Sequence, residues 1–230
     1  FTQDARYVYL AGRLNPRVLS LAEPLSVVCH AASNAERMMG PLSDLKILIL
    51  GGGNMGTALL MVLRKIFQCS DIELYDIIPS RMETAQGLGA KRPSNIDFIT
   101  RKDSKTSGSD YRDFYSELAY DIVFESTGSR EAFSNALEIV KPLGGIVVIG
   151  FVSTGEVNLS LITLKALKIC GTIGGSGEFP KVLQAMEKES KYFERLITHR
   201  FHYLDYEKAF EMAMEKSLKV QIYFDGSGDE

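Results

Sequence analysis

Short, nearly unbroken apolar runs recur along this chain, and most are followed by a stretch whose apolar residues return at helical spacing. Leu45-Lys46-Ile47-Leu48-Ile49-Leu50, Ile72-Glu73-Leu74-Tyr75, Tyr120-Asp121-Ile122-Val123-Phe124-Glu125, Ile146-Val147-Val148-Ile149-Gly150 and Leu167-Lys168-Ile169-Cys170-Gly171-Thr172-Ile173 read as buried strands. Between them, helical spacing covers about 55–67, then 79 to a stop near Gly87-Leu88-Gly89, a short piece at 111–118, a stretch reaching Val140, and 178–188. Residues 91–110 are polar, with Ile96-Asp97-Phe98-Ile99 as the single strand candidate and 102–110 as a solvated loop. Pro142-Leu143-Gly144-Gly145 reads as a turn feeding the run at Ile146.

Both ends depart from this rhythm. Residues 1–22 hold a strand-like Tyr7-Val8-Tyr9-Leu10, then Gly12, Pro16 and Leu19-Ser20-Leu21, too little to bury a core alone. Glu23-Pro24 opens a helix that runs over 25–39 to Gly40, and Pro41-Leu42-Ser43-Asp44 turns into the first strand. In the last forty residues, 196–201 reads as extended, 206–216 as an amphipathic helix and 220–224 as a strand; the acidic Gly/Ser tail from Asp225 reads as disordered. The central alternation predicts an α/β fold, a doubly wound parallel six-stranded Rossmann sheet with helices on both faces and strand order 3-2-1-4-5-6.

Where the first strand meets its helix, the sequence is Gly51-Gly52-Gly53-Asn54-Met55-Gly56. Gly51, Gly53 and Gly56 occupy the glycine positions of G-x-G-x-x-G: a tight turn, close backbone approach to a pyrophosphate, and close packing of helix on strand. The helix that begins there aims free N–H groups and its positive dipole end at the phosphates. Twenty positions beyond Gly56, at the end of the next run, stands Asp76, whose carboxylate can accept both hydroxyls of an adenosine ribose. A glycine-rich turn beside an ordinary surface acid is the bland alternative. The order strand, glycines, helix, strand, acid favours a dinucleotide.

Composition narrows the partners. In 230 residues, 45% hydrophobic and 24% charged with a net charge of -3, no basic stripe interleaved with aromatics offers a nucleic-acid surface. No apolar run approaches the roughly 20 residues that span a bilayer, and nothing at the start resembles a signal peptide. Cys29, Cys69 and Cys170 are odd in number and far apart, which reads as reduced packing residues in a cytoplasmic protein. The chain opens on Phe1 rather than Met, which suggests a fragment or a processed product.

The order of motifs resembles the medium-chain dehydrogenase/reductase family, the zinc-type alcohol and polyol dehydrogenases. The matching stretches are Ala22-Glu23-Pro24-Leu25-Ser26-Val27-Val28-Cys29-His30-Ala31, the glycine turn, Tyr75-Asp76 through Arg81, Val123-Phe124-Glu125-Ser126-Thr127-Gly128, Gly144-Gly145 through Gly150, and Ile197-Thr198-His199-Arg200-Phe201. Glu-Pro-Leu at 23–25 makes the sorbitol/threonine dehydrogenase branch the most similar. Members carry an N-terminal zinc-binding catalytic domain, of which this sequence holds only the last strand and linker. The resemblance therefore implies residues 1–24 as a remnant of that domain, 25–190 as the Rossmann dinucleotide-binding domain, and 191–230 as a return segment.

It also implies roles, each with a plainer alternative. Asp76 favours NAD over NADP by repelling a 2′-phosphate. Arg81 matches a position that reaches the same ribose, though it could instead contact a 2′-phosphate or be a surface charge at a helix start. Ile77 lines the adenine pocket or is ordinary packing. Asn54 and Met55 belong to the phosphate turn. Ser126, Thr127 and Ser129 fall at the adenine edge and cofactor ribose, with a helix cap as an equal reading of Ser129. The backbones of Ile149, Gly150, Phe151, Thr172 and Ile173 grip the nicotinamide carboxamide, with Val27 behind the ring. Lys219 reaches the pyrophosphate or is a solvated edge-strand lysine.

Glu23 is the one metal candidate, matching a glutamate beside the zinc in polyol-type enzymes; by itself it is a helix N-terminal acid favoured by the dipole. Cys29-His30 makes no four-ligand set, and His199 and His202 read as packing residues. The implied function is an NAD(H)-binding domain of an oxidoreductase acting on an alcohol or polyol, in which zinc polarises the substrate oxygen from the absent domain. This chain alone is then expected to be inactive, to hold no zinc and to form a homodimer through its sixth strand. A stand-alone NAD(H)-binding sensor or regulatory module is the second reading. A methyltransferase using S-adenosylmethionine ranks low, and a short-chain dehydrogenase is disfavoured by the lack of any Tyr-x-x-x-Lys.

Overall fold

The computed structural model describes residues 4–93, 120–154, 157–175, 177–214 and 217–224. After a 3-10 turn at Ala5–Tyr7 come α1 (Pro16–Leu19), α2 (Ala22–Met39), β1 (Ile47–Leu50), α3 (Asn54–Lys65), β2 (Ile72–Tyr75) and α4 (Pro79–Gly87). Then follow β3 (Tyr120–Glu125), α5 (Arg130–Ile139), β4 (Val140–Val148), α6 (Ser160–Leu164), β5 (Lys168–Gly171), α7 (Phe179–Lys188) and α8 (Ser190–Glu194). The chain ends with β6 (Ile197–His202), α9 (Tyr206–Met214) and β7 (Lys219–Tyr223).

Five of the strands form one sheet in the order β2-β1-β3-β4-β5, every pair parallel. The expectation was six strands; the candidate third strand at 96–99, the polar stretch around it and the short helix at 111–118 lie outside the described residues. The observed order is the expected one with that strand left out. β6 and β7 pair in parallel with each other as a separate two-stranded sheet.

Side chains alternate across the main sheet as the pleat requires. Ile47 and Ile49 of β1, Ile72 and Leu74 of β2, and Ile122 and Phe124 of β3 pack with α2, α3 and α7 on one face. Leu48, Leu50, Val123 and Ile146 point the other way, towards Ala136, Leu137 and Ile139 of α5 and Leu161 of α6. Burial on both faces explains why the strands carry almost unbroken apolar runs. On α2, the small residues Ala31, Ala32 and Ala35 are fully buried, which lets α2 lie close to α3. Gly40 ends α2 with φ +88° while its N–H donates to the Glu36 carbonyl at 2.8 Å.

Two local expectations are corrected. Tyr7-Val8-Tyr9-Leu10 is no strand: a 3-10 turn takes Ala5–Tyr7, and Val8 and Leu10 lie exposed with no partner strand among the described residues. Pro142-Leu143-Gly144-Gly145 is not a separate turn, because β4 begins at Val140 and passes through it with a register shift against β3. The irregularity is absorbed at Leu143, which adopts φ +64° while its N–H donates to the Lys165 carbonyl at 2.7 Å. The helices α6 and α8 were not read from the sequence; each is only five residues long, too short for periodicity to register. The expected tail from Asp225 lies outside the described residues.

Candidate cofactor crevice at the carboxyl edge of the sheet

The chain leaves β1 through Gly51, at φ +100°, a left-handed conformation that side chains resist. A methyl on Gly51 would lie 2.8 Å from both Ser126 Oγ and Thr127 Cγ2, so the turn sits directly against the end of β3. Gly56, one turn into α3, has no space at all: an added Cβ would fall on the Gly51 carbonyl oxygen. Gly53 differs, since the nearest atom to its missing Cβ is Arg81 Nη1 at 3.8 Å. Gly51 and Gly56 are therefore demanded by the protein's own packing, whereas Gly53 keeps its surface clear. That is the combination a pyrophosphate resting on bare backbone requires. Thr57, a residue with no predicted role, steadies the turn by donating from Oγ1 to the Gly52 carbonyl at 3.0 Å.

Asp76 follows β2 and is buried. Its Oδ2 accepts the Gly52 N–H at 2.7 Å and its Oδ1 accepts the Ile78 N–H at 2.8 Å. Arg81, in the first turn of α4, brings Nη1 to 3.5 Å from Asp76 Oδ2. Each carboxylate oxygen retains a lone pair for a hydroxyl. Ile77 stands 83% exposed beside this acid.

Across the turn, Ser126 donates from Oγ to the Leu50 carbonyl at 2.8 Å and lies 3.2 Å from the Gly51 carbonyl. Its hydroxyl is thus spent on fixing the turn. Ser129 accepts the Ala132 N–H at 3.4 Å, the helix-cap geometry, at the start of α5. Beyond them β4 runs into Ile149, Gly150 and Phe151, and β5 into Thr172 and Ile173; the Thr172 N–H donates to the Val148 carbonyl at 3.0 Å. Phe151 and Ile173 are 87% and 79% exposed, large apolar groups turned out at the strand ends. Ser26 of α2 backs this region, its Oγ 2.6 Å from where a Cβ on Gly175 would be.

Buried polar atoms without a partner concentrate here. Among the described residues they are Asn54 Oδ1, Arg81 Nε, Glu125 Oε2 and Thr172 Oγ1, together with Arg17 Nε, which faces Glu194 at 3.0 Å. A crevice lined by such atoms, with a cleared glycine at its centre, fits a polar ligand that both donates and accepts hydrogen bonds. The sequence marks Glu125 as the last residue of a strand and as part of the matching stretch Val123–Gly128, without a role of its own; no local pattern marks a carboxylate that folding will bury.

Two predicted positions stand apart. Glu23 is exposed in the first turn of α2, and Lys219 lies in β7 opposite Ile197; no side-chain hydrogen bond or ion pair among the described residues joins either to this group. No group of three or more His, Cys, Asp or Glu side chains among the described residues could hold a metal ion. His30 pairs with Glu178 instead, Nδ1 to Oε1 at 2.7 Å, tying α2 to the start of α7. His199 lies 3.0 Å from the Thr198 hydroxyl, and His202 packs against Tyr203 and Tyr223. All three cysteines are free. Burial pushes the thiols of Cys29 and Cys69 up to about 11 and about 12, which keeps them protonated packing groups. No helix among the described residues is long and apolar enough to cross a membrane.

A parallel α/β sheet with a glycine turn and an acid at its carboxyl edge defines a Rossmann-like protein. The zinc-binding dehydrogenase family model matches residues 55–188, more than half of the chain, and the chain belongs to that family. Sorbitol dehydrogenase of Bacillus subtilis is 25% identical over 209 residues, 89% of this chain and 56% of the relative. The crystal structure of ECK1772 from Escherichia coli, described as an oxidoreductase/dehydrogenase of unknown specificity, is 26% identical, with TM-score 0.73 over 90% of this chain and 57% of its own. An Escherichia coli structure described as the alcohol dehydrogenase rspB complexed with NADH shares the fold at 20% identity and TM-score 0.72, covering 90% of this chain and 59% of its own. The chain thus spans a little over half the length of the relatives it matches.

Proposed function

We propose that this chain is the NAD(H)-holding domain of a zinc-type oxidoreductase acting on an alcohol or polyol, with the zinc-bearing catalytic part contributed from outside residues 1–230. The observation that carries the reading is the contrast between Gly56, closed by the protein's own backbone, and Gly53, left open on the same turn. The pyrophosphate rests on Gly51, Gly53, Asn54, Met55 and Gly56 at the head of α3. Asp76 accepts the adenosine ribose hydroxyls, with Arg81 beside it and Ile77 against the adenine. Ser126, Thr127 and Ser129 border the adenine edge and the cofactor ribose, and Ile149, Gly150, Phe151, Thr172 and Ile173 border the nicotinamide. When bound, the nicotinamide supplies hydride chemistry at its C4; the chain's residues bind and orient it. Glu23 alone makes no metal centre, and Lys219 reaches the pyrophosphate only as an inference from family position.

The same reading divides the chain into 1–24, 25–190 and 191–230, places it in the cytoplasm, and pairs two copies edge to edge through β5. The buried Asp76 favours NADH over NADPH. Titration of NADH fluorescence tests this: enhanced emission on binding is expected, with Asp76→Ala weakening it and NADPH binding less tightly. Equal affinity for the two coenzymes in the unaltered protein overturns the assignment of Asp76. No NADH binding overturns the whole reading.

A further inference from the structure

Glu125 ends β3 with its side chain fully buried. Its Oε1 gathers three donors: the Thr127 N–H at 2.7 Å, the Thr127 hydroxyl, and the Gly128 N–H at 3.0 Å. Thr127 Oγ1 in turn accepts the Ser129 N–H at 2.8 Å, so one carboxylate oxygen shapes the whole turn from Ser126 to Ser129. The other oxygen, Oε2, meets no donor among the described residues and faces β4. A Cβ on Gly150 would lie 2.7 Å from it and would collide with the Gly128 amide nitrogen. Gly128, at φ +72°, reaches over in return: its own Cβ position is 3.3 Å from the Phe151 carbonyl oxygen. The ends of β3 and β4 are therefore locked together around one buried carboxylate.

The sheet order says which part of a dinucleotide lies there. The acid for the adenosine ribose follows β2, the pyrophosphate turn follows β1, and β3 and β4 lie on the opposite side of β1 from β2. A dinucleotide with its adenosine half over β2 and its phosphates over β1 must place its other half over β3 and β4. We propose, resting on the NAD(H) reading above, that Glu125 is the positioning residue for the nicotinamide half. Its buried carboxylate holds the Thr127–Gly128 turn and the Gly150 backbone in one surface that receives the nicotinamide ribose and ring. Among the described residues the Glu125 carboxylate makes no hydrogen bond to Asp76 or Arg81, and it reaches the phosphate turn only indirectly, through Ser126 and Thr127 against Gly51, so its loss should weigh more on the nicotinamide half than on the adenosine half.

ADP keeps the adenosine and the pyrophosphate but lacks the nicotinamide half, which makes the claim testable by comparison. NADH and ADP are titrated against the unaltered chain, Glu125→Gln and Glu125→Asp, by calorimetry and by NADH emission. Glu125→Gln keeps the shape but puts an amide where one oxygen now serves several donors; Glu125→Asp keeps the charge but draws it back from Thr127 and Gly128. Each is expected to weaken NADH about tenfold and to reduce its emission enhancement. ADP affinity is expected to stay within about twofold of the unaltered chain. Unchanged ADP binding also shows that the crevice is folded. An equal loss of both ligands, or no loss of NADH, overturns the proposal. If neither Glu125 variant folds, Thr127→Val removes one of the donors to the same carboxylate oxygen and must give the same one-sided loss; equal losses there overturn it too. Failure of the unaltered chain to bind NADH is a separate result, which ends the NAD(H) reading rather than this one.

Discussion

The N–H of Gly52 donates to Asp76 Oδ2 at 2.7 Å, so the phosphate turn and the ribose acid are one hydrogen-bonded unit before any ligand arrives. The second oxygen is committed as well, to the Ile78 N–H at 2.8 Å. Both backbone donors need an acceptor, and only a carboxylate offers two.

Asp76→Asn therefore sets an NH2 against one of two N–H groups. The expected cost is about 1–3 kcal/mol in urea unfolding, from one buried donor left without an acceptor. NADH affinity should fall with it, because the turn loses its anchor and the ribose loses an acceptor. A variant as stable as the unaltered chain would show that the carboxylate does not organise the turn.

Gly53 and Gly56, three residues apart, should respond in opposite ways to the same substitution. Gly56→Ala forces a methyl onto the Gly51 carbonyl oxygen, a backbone clash that side-chain movement cannot relieve. Loss of more than about 3 kcal/mol of stability, or failure to fold, is expected. Gly53→Ala meets nothing nearer than 3.8 Å, and its φ of -71° suits any residue. Its melting temperature should stay within a degree or two of the unaltered chain, roughly 0.5 kcal/mol, while NADH binding falls. Intact NADH binding by Gly53→Ala would mean the phosphates lie elsewhere.

The contrast between these glycines marks what the sequence could tell. Spacing placed all three at the turn, and apolar texture located β3 to the residue and α2 to within three, because strands buried on both faces and helices with one buried face write their period into the chain. Texture said nothing of Glu125 or Thr57, whose importance arises only when β3, β4 and α3 converge. It misread Tyr7-Val8-Tyr9-Leu10, where strand-like residues have no strand to pair with among the described residues, and Pro142-Leu143-Gly144-Gly145, where pairing with β3 carries the strand through turn-forming residues. Ser129 shows the limit from the other side: its cap geometry is visible, and a cap does not preclude a ligand on the same edge.

β5 is the last strand of the main sheet, with Lys168 and Gly171 exposed. Because the Thr172 N–H points inward to Val148, alternation turns the Gly171 N–H away from β4, to the outer edge of the sheet among the described residues. An edge of this kind is a template for a second copy. Light scattering should find a dimer, and Gly171→Pro, which removes an outward donor without touching the β4 ladder, should shift it to monomer. A monomer in the unaltered chain overturns edge pairing.

Lys165, only 3% exposed, follows α6 and closes the C-terminal end of α5. Its Nζ donates to the carbonyls of Leu137 at 2.9 Å, Glu138 at 2.5 Å and Val140 at 3.1 Å, groups that the helix end would otherwise leave unsatisfied. Burial pulls its pKa down to about 8 from 10.5. A lysine lowered on folding is held in its charged form at a cost below pH 8, and that cost is relieved as the pH rises, because the unfolded chain keeps its proton up to about 10.5. The stability of the unaltered chain minus that of Lys165→Met should therefore rise between pH 8 and 10.5. The ceiling of that rise is about 3 kcal/mol, reduced because three carbonyl acceptors favour the ammonium. Urea unfolding of both proteins at pH 7.5 and 10 reads the difference directly. A difference that stays constant means the ammonium persists in the folded chain, and one that falls means the carbonyls outweigh the burial.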